Sequence, residues 1–191
     1  GINVLSGWVG ATWSPKALHK TDFKAALSSR KSVSKRLGGL VQGGYSAVQI
    51  ATFDGPKYPI WSGTGGIFYQ FNKLHRASIG LDYELNKAIY EWGLHSARFE
   101  DEASARQAST RLAWFIGEEF LFGDIGIQLQ TGRYWGTKFN TFVPKKLYSK
   151  LSMRYYLPEQ IHFPVRPFVG VTLKAHAFTA EYIAWNVGVA F

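Results

Sequence analysis

Glu181-Tyr-Ile-Ala-Trp-Asn-Val-Gly-Val-Ala-Phe191, the C-terminal stretch of the chain, alternates without a break. Ile183, Trp185, Val187, Val189 and Phe191 share one face, and Tyr182, Ala184, Asn186, Gly188 and Ala190 share the other. Successive side chains of a strand point to opposite sides, so this period of two predicts a β-strand with one strongly apolar face. The same rhythm recurs upstream. Leu147, Leu151, Met153, Tyr155 and Leu157 alternate with Tyr148, Lys150, Ser152, Arg154 and Tyr156. Ile125, Ile127 and Leu129 alternate with Gly126, Gln128 and Gln130, and Ala77, Ile79, Leu81, Tyr83 and Leu85 alternate with Ser78, Gly80, Asp82, Glu84 and Asn86. Charges recur on the second face.

Composition narrows what these strands build. At 191 residues the chain has room for one domain. Lys and Arg number 22 against 13 Asp and Glu, a net charge of +9, yet 46% hydrophobic and 16% aromatic residues exclude a disordered polycation. The absence of cysteine removes disulfides, thiolate metal sites and a cysteine nucleophile. No apolar run reaches the roughly 18 residues of a membrane-spanning helix. A membrane β-barrel is not removed by that test, because alternation of lipid-facing and lumen-facing residues keeps the mean hydropathy ordinary, here −0.11. A soluble sheet turns its apolar face inward, whereas a membrane barrel turns it outward around a polar, self-paired interior. Long strands, Tyr and Trp near strand ends and little helical periodicity favour the membrane barrel, and a C-terminal strand ending in Phe resembles the closing strand of bacterial outer-membrane proteins. The chain starts at Gly1 without a charged, apolar leader, which by itself decides nothing about export.

Counting back from the end predicts an all-β, antiparallel transmembrane barrel of eight strands: 181–191, 165–176, 147–157, 124–135, 109–121, 76–86, 62–71 and 40–53. Connections 72–75, 122–123 and 158–164 then fall at the periplasmic end, and 54–61, 87–108 and 136–146 at the outer end, short inside and long outside. The one short outer connection is 177–180. Residues 1–39 stay unplaced within a single domain spanning 1–191. A strand at Trp8 to Trp13 with a partner near Lys24 to Val33 would raise the count to ten. Otherwise this segment is a periplasmic arm or a plug. Within it, Lys16, Lys20, Lys24, Arg30, Lys31, Lys35 and Arg36 face only Asp22, a run suited either to solvent or to the phosphates of lipid and lipopolysaccharide. Nucleic acid is not expected, since no helix-turn-helix, zinc finger or RNP-like strand accompanies the charge.

Chemistry-bearing motifs are sparse. Gly-x-Ser-x-Gly, His-Glu-x-x-His and the phosphate-binding Gly-x-x-x-x-Gly-Lys-Ser/Thr loop are all missing. Gly63-Thr-Gly-Gly66 opens a strand rather than a helix, so it reads as a close strand contact and not as a phosphate cradle. His19, His75, His95, His162 and His176 are spread without ligand spacing, so neither a metal nor another cofactor is expected. His176 stands out. It ends the penultimate strand while Glu181 begins the last, and a hairpin brings the two together as a base and its orienting acid, or as a pair that pins a strand end.

Phe168-Val-Gly-Val-Thr-Leu-Lys-Ala-His176 followed by Glu181 to Phe191, with Gly123-Asp-Ile-Gly-Ile-Gln-Leu-Gln-Thr-Gly132 and Leu147 to Leu157, resembles the PagL-like lipid A deacylase, or acyloxyacyl hydrolase, family. The resemblance covers about the C-terminal 80 residues. It implies an eight-stranded outer-membrane barrel that removes an ester-linked acyl chain from lipid A with a Ser-His-Glu triad and no metal. Carried over by position, the histidine is His176 and the glutamate is Glu181, the latter on the lipid-facing side. The serine two residues after the histidine is Phe178 here, and the asparagine after it is Thr179. Strict alternation also puts His176 in the inward phase with Lys174 and Thr172, so a bulge would be needed to turn it out. Removing a triad serine costs several orders of magnitude in rate. Thr179 is the hydroxyl that could replace it, with a β-branch that restricts its rotamers.

Two functions follow. One is a non-catalytic barrel of the family, a structural or accessory subunit of an outer-membrane protein complex or a lipopolysaccharide-binding barrel. The other is a lipid A 3-O-deacylase using His176, Glu181 and Thr179. A pore is a weaker idea, since Lys150, Arg154, Lys174, Asp82, Glu84 and Glu119 would pair across the narrow lumen of eight strands.

Overall fold

The computed structural model describes residues 36–49, 56–95, 101–135, 146–157, 165–176 and 179–191. The chain divides into Gly1–Ser32 and Val33–Phe191, and the fold below belongs to the second unit. The possible extra strands and the basic run up to Lys35 lie outside the described residues.

Eight antiparallel strands close into a barrel in sequence order: β1 (Leu37–Gln49), β2 (Lys57–Gln70), β3 (His75–Asn86), β4 (Thr110–Phe122), β5 (Ile125–Trp135), β6 (Leu147–Tyr156), β7 (Arg166–His176) and β8 (Thr179–Ala190). Every predicted strand is found, and closure by β1 on β8, from Leu40 opposite Ala190 to Tyr45 opposite Trp185, settles the count at eight. Gly63 to Gly66 lie inside β2 rather than at its start. The outer connection between β3 and β4 holds two helices that alternation did not predict, α1 (Lys87–His95) and α2 (Glu102–Ser109). Asp101 caps α2, accepting from the Ser104 amide at 2.7 Å. No helix among the described residues is long and apolar enough to cross a membrane.

Alternation decides what faces where. On β8, Ile183, Trp185 and Val187 are 61–72% exposed, whereas Tyr182, Ala184 and Asn186 are buried. The other strands follow this rule with local exceptions, giving a largely apolar outer wall suited to lipid. Aromatic residues stand at both ends of the wall: Tyr45, Trp61, Tyr83, Trp114 and Trp135 toward the long loops, and Tyr69, Phe71, Phe122 and Tyr155 toward the short turns. The β4–β5 hairpin turns through Gly123 at φ 74°, a left-handed conformation that glycine adopts without strain. Gly66 and Gly80 face each other across β2 and β3, and a Cβ on Gly80 would collide with the Gly65 carbonyl and the Phe115 ring. Their bareness lets Phe115, wholly buried, fill the lumen there.

Candidate functional site

Three carboxylates organise the interior, one per layer. Nearest the short turns, Glu119 accepts from Arg76 Nε at 2.6 Å, Arg154 Nη1 at 3.2 Å and the Tyr156 hydroxyl at 2.7 Å. Arg154 Nη2 donates onward to Gln42 and Gln128 at 2.9 and 2.6 Å. In the middle layer Asp82 accepts from Thr64, Gln130, Lys150 and Tyr148, with Lys150 Nζ at 2.8 Å. Toward the long loops Glu84 accepts from Arg111 at 2.8 Å, from Tyr182 at 2.5 Å and from Lys174. Each charge taken from water thus meets opposite charge and hydrogen bonds, the condition for burying it. The predicted interior charges Lys150, Arg154, Lys174, Asp82, Glu84 and Glu119 all lie in these layers, and paired charges fill the lumen as the sequence implied.

His176 and Glu181 meet above the outer layer. Lys174 pairs with Tyr182, but the next pair is Ala175 with Ala180, so β8 carries one extra residue, and that residue is Glu181. The bulge is at the carboxylate, not at the histidine. It corrects the placement of Glu181 on the lipid side: the side chain turns inward, where Oε1 accepts from Arg111 Nη1 at 2.5 Å. Its Oε2 lies 3.2 Å from Lys174 Nζ and 3.3 Å from His176 Nδ1, with hydrogen-bond geometry to neither. His176 stays in the inward phase with Lys174 and Thr172, 91% of its surface covered. On the other side of the ring, Nε2 is 2.8 Å from the hydroxyl of Tyr134, whose ring stacks on the imidazole at 5.7 Å between centroids.

Thr179 stands directly opposite His176 in the β7–β8 register and is exposed at the mouth. Directly opposed residues of antiparallel strands share a face, so Thr179 and His176 are neighbours on the luminal side. Phe178 lies outside the described residues. The order carboxylate, imidazole, hydroxyl is that of a nucleophilic triad, but the hydroxyl at Nε2 is a phenol inside the lumen and the carboxylate is committed to Arg111. The arrangement can hold the mouth of the barrel together, and its imidazole has no face toward lipid. Among the described residues no cluster of His, Asp and Glu fits a metal ion.

His176, Glu181 and Thr179, the residues singled out in the sequence, lie near one another at the β7–β8 turn, whereas Tyr134 and Arg111 were not singled out. Carrying the inward phase of Gly126, Gln128 and Gln130 two steps further reaches Tyr134. Its contact with His176 spans 42 residues and is set by barrel closure, which no local pattern encodes.

No curated protein matches the chain. Among solved structures, one titled "De novo design of transmembrane beta-barrels" is similar, at 10% identity and a TM-score of 0.42, over 84% of this chain and 98% of that one. The profile described as acyloxyacyl hydrolase, C-terminal domain, matches residues 33–191, from just before β1 to the last residue of the chain. With that match across the whole barrel, the chain belongs to the PagL-like acyloxyacyl hydrolase C-terminal domain family.

Proposed function

We propose that this protein is a non-catalytic lipid A deacylase-like barrel of the bacterial outer membrane, serving as a structural or accessory subunit. The observation that carries this reading is the engagement of His176 Nε2 by the buried Tyr134 hydroxyl. A base must present that nitrogen to a nucleophile beside its substrate, and here it points into a filled lumen while acyl esters lie in the lipid outside. The missing serine, with Phe178 in its place, supports the same conclusion. Under this reading the partners are outer-membrane lipid, lipopolysaccharide included, and neighbouring outer-membrane proteins.

Mass spectrometry of lipid A incubated with the purified barrel in detergent micelles tests the proposal. Unchanged lipid A, under conditions where a serine-containing relative cleaves it, is the expected result. Loss of one acyl chain that disappears in His176→Ala would overturn it. The register that sets Thr179 opposite His176 supports a second reading, lipid A 3-O-deacylation with Thr179 as nucleophile. On that reading Thr179→Ala abolishes the loss as well.

A further inference from the structure

Glu118 breaks the pattern of the wall. Of the carboxylates on the described strands, Asp82, Glu84, Glu119 and Glu181 bond inside the lumen, and Glu118 alone points outward. Its side chain is about half exposed between Ile116 and Phe120, where lipid is the surrounding medium. An ionisable group on a lipid-facing wall is costly and marks a functional site by default. Its one partner shown is His75, whose Nδ1 lies 3.0 Å from Oε1. His75 is the first residue of β3 and is held by the turn below it, since its amide donates to Asn72 at 2.9 Å and its ring meets Phe120 edge-on.

Glu118 also belongs to a concavity. A cleft of about 730 Å³ opens in the outer wall across β3 to β7, with Glu118 in its lining. Paired residues form one row through it: Ala77, Glu118, Leu129, Leu151 and Leu173. The row next to it toward the long loops has the small side chains Thr131, Ser149 and Ala175, which leave the depression. The row also climbs. Ala77 is two residues from the short-turn end of β3, Glu118 and Leu129 are four from the ends of β4 and β5, Leu151 is five from the end of β6, and Leu173 is seven from the start of β7. A carboxylate therefore sits at the low, interfacial end, with leucines rising from it toward the bilayer interior. Ser78, Gln130 and Lys150 also border the cleft, but their side chains bond to Gln128 and Asp82 in the lumen, so Glu118 is the charge that its outer face presents among mainly apolar side chains, a lining of the kind that holds small ligands.

We propose that this cleft binds a phospholipid with a primary ammonium headgroup from the leaflet at the short-turn, periplasmic side. The ammonium donates to Glu118, beside His75, and one acyl chain follows the climbing leucine row. Charge selects the occupant. A carboxylate attracts an ammonium and repels an anionic headgroup, and a primary ammonium can donate hydrogen bonds that a quaternary one cannot. The cleft opens on the outer face of the wall with its carboxylate toward the short turns, whereas His176 faces the lumen at the long-loop end, so the site does not depend on whether that histidine is catalytic.

Native mass spectrometry of the whole barrel tests the proposal, after equilibration in mixed micelles with phosphatidylethanolamine, phosphatidylcholine or phosphatidylglycerol. The expected result is retention of phosphatidylethanolamine several-fold above the other two. Glu118→Gln should abolish that preference, and Ser149→Leu, which fills the cleft on the lipid face, should lower retention of all three. Equal retention of the three lipids by the wild type overturns the proposal, as does a preference that survives Glu118→Gln. Recovery of the barrel as a dimer in place of a lipid adduct also overturns it, by assigning the cleft to a second copy.

Discussion

The two ends of the lumen solve the same problem differently. At the short-turn end, Glu119 is held by Arg76, Arg154 and Tyr156 within an unbroken ladder, every partner supplied by ordinary alternation. At the long-loop end, Glu181 reaches Arg111 only because a bulge inserts it as an extra residue in β8, and it retains 18% side-chain exposure. The first arrangement is the interior any such barrel needs. The second uses a departure from regularity to draw in a carboxylate that strict alternation would give to lipid. At this end the departure from regularity brings Glu181 to Arg111 and beside His176.

The contrast predicts a graded response to substitution. Glu119→Ala should do the most damage, because it strands two buried guanidinium groups. A loss of about 3–5 kcal/mol is expected for breaking a buried ion pair, read from urea unfolding of the barrel in detergent. Glu181→Ala should cost less, about 1.5–3 kcal/mol, since Arg111 keeps Glu84 and the mouth admits water. Equal losses from the two would erase the distinction between the ends. His176→Gln should cost about 1 kcal/mol or less, because an amide can still meet the Tyr134 hydroxyl. A larger effect would mean that the imidazole, rather than the Glu181–Arg111 pair, holds the mouth.

The smallest effect lies outside the barrel wall. Asp101 is held below the usual carboxylate range first by the Ser104 side chain and then by its amide. Because the folded value is the lower one, the cap contributes above the ordinary carboxylate pKa and is lost as pH falls through the depressed value. Protection of the Glu102–Ser109 amides, measured as exchange relative to the intrinsic rate at each pH, should therefore fall below about pH 4, with protection of the strand amides unchanged.

Much of this was legible in the sequence, because period two is a local property. Strand positions, the sides taken by the interior charges, and the hairpin joining His176 to Glu181 all follow from reading alternate residues. The bulge was not legible where it occurs. Alternation alone assigns Glu181 the outward phase of Ile183, and the reversal depends on the Arg111 guanidinium waiting 70 residues away in sequence. Tyr134 was missed for the same reason: its partner is fixed by closure of the barrel. The helices of the outer connection are short and lie between strands, so the strand signal on either side obscured them. The glycines show the reverse case, since the spacing of Gly63 to Gly66 was visible but the Phe115 ring that needs Gly66 and Gly80 bare was not.

The central claim is that His176 faces the lumen. Because the chain has no cysteine, single cysteines can be introduced at 176 and 183 and spin-labelled without background. In lipid bilayers, the label at Ile183→Cys should collide freely with oxygen and be shielded from a water-soluble nickel complex. The label at His176→Cys should be immobilised and protected from dissolved oxygen in the acyl region. A lipid-like oxygen signal at position 176, equal to that at 183, would place the imidazole on the outer wall beside acyl esters and contradict the account.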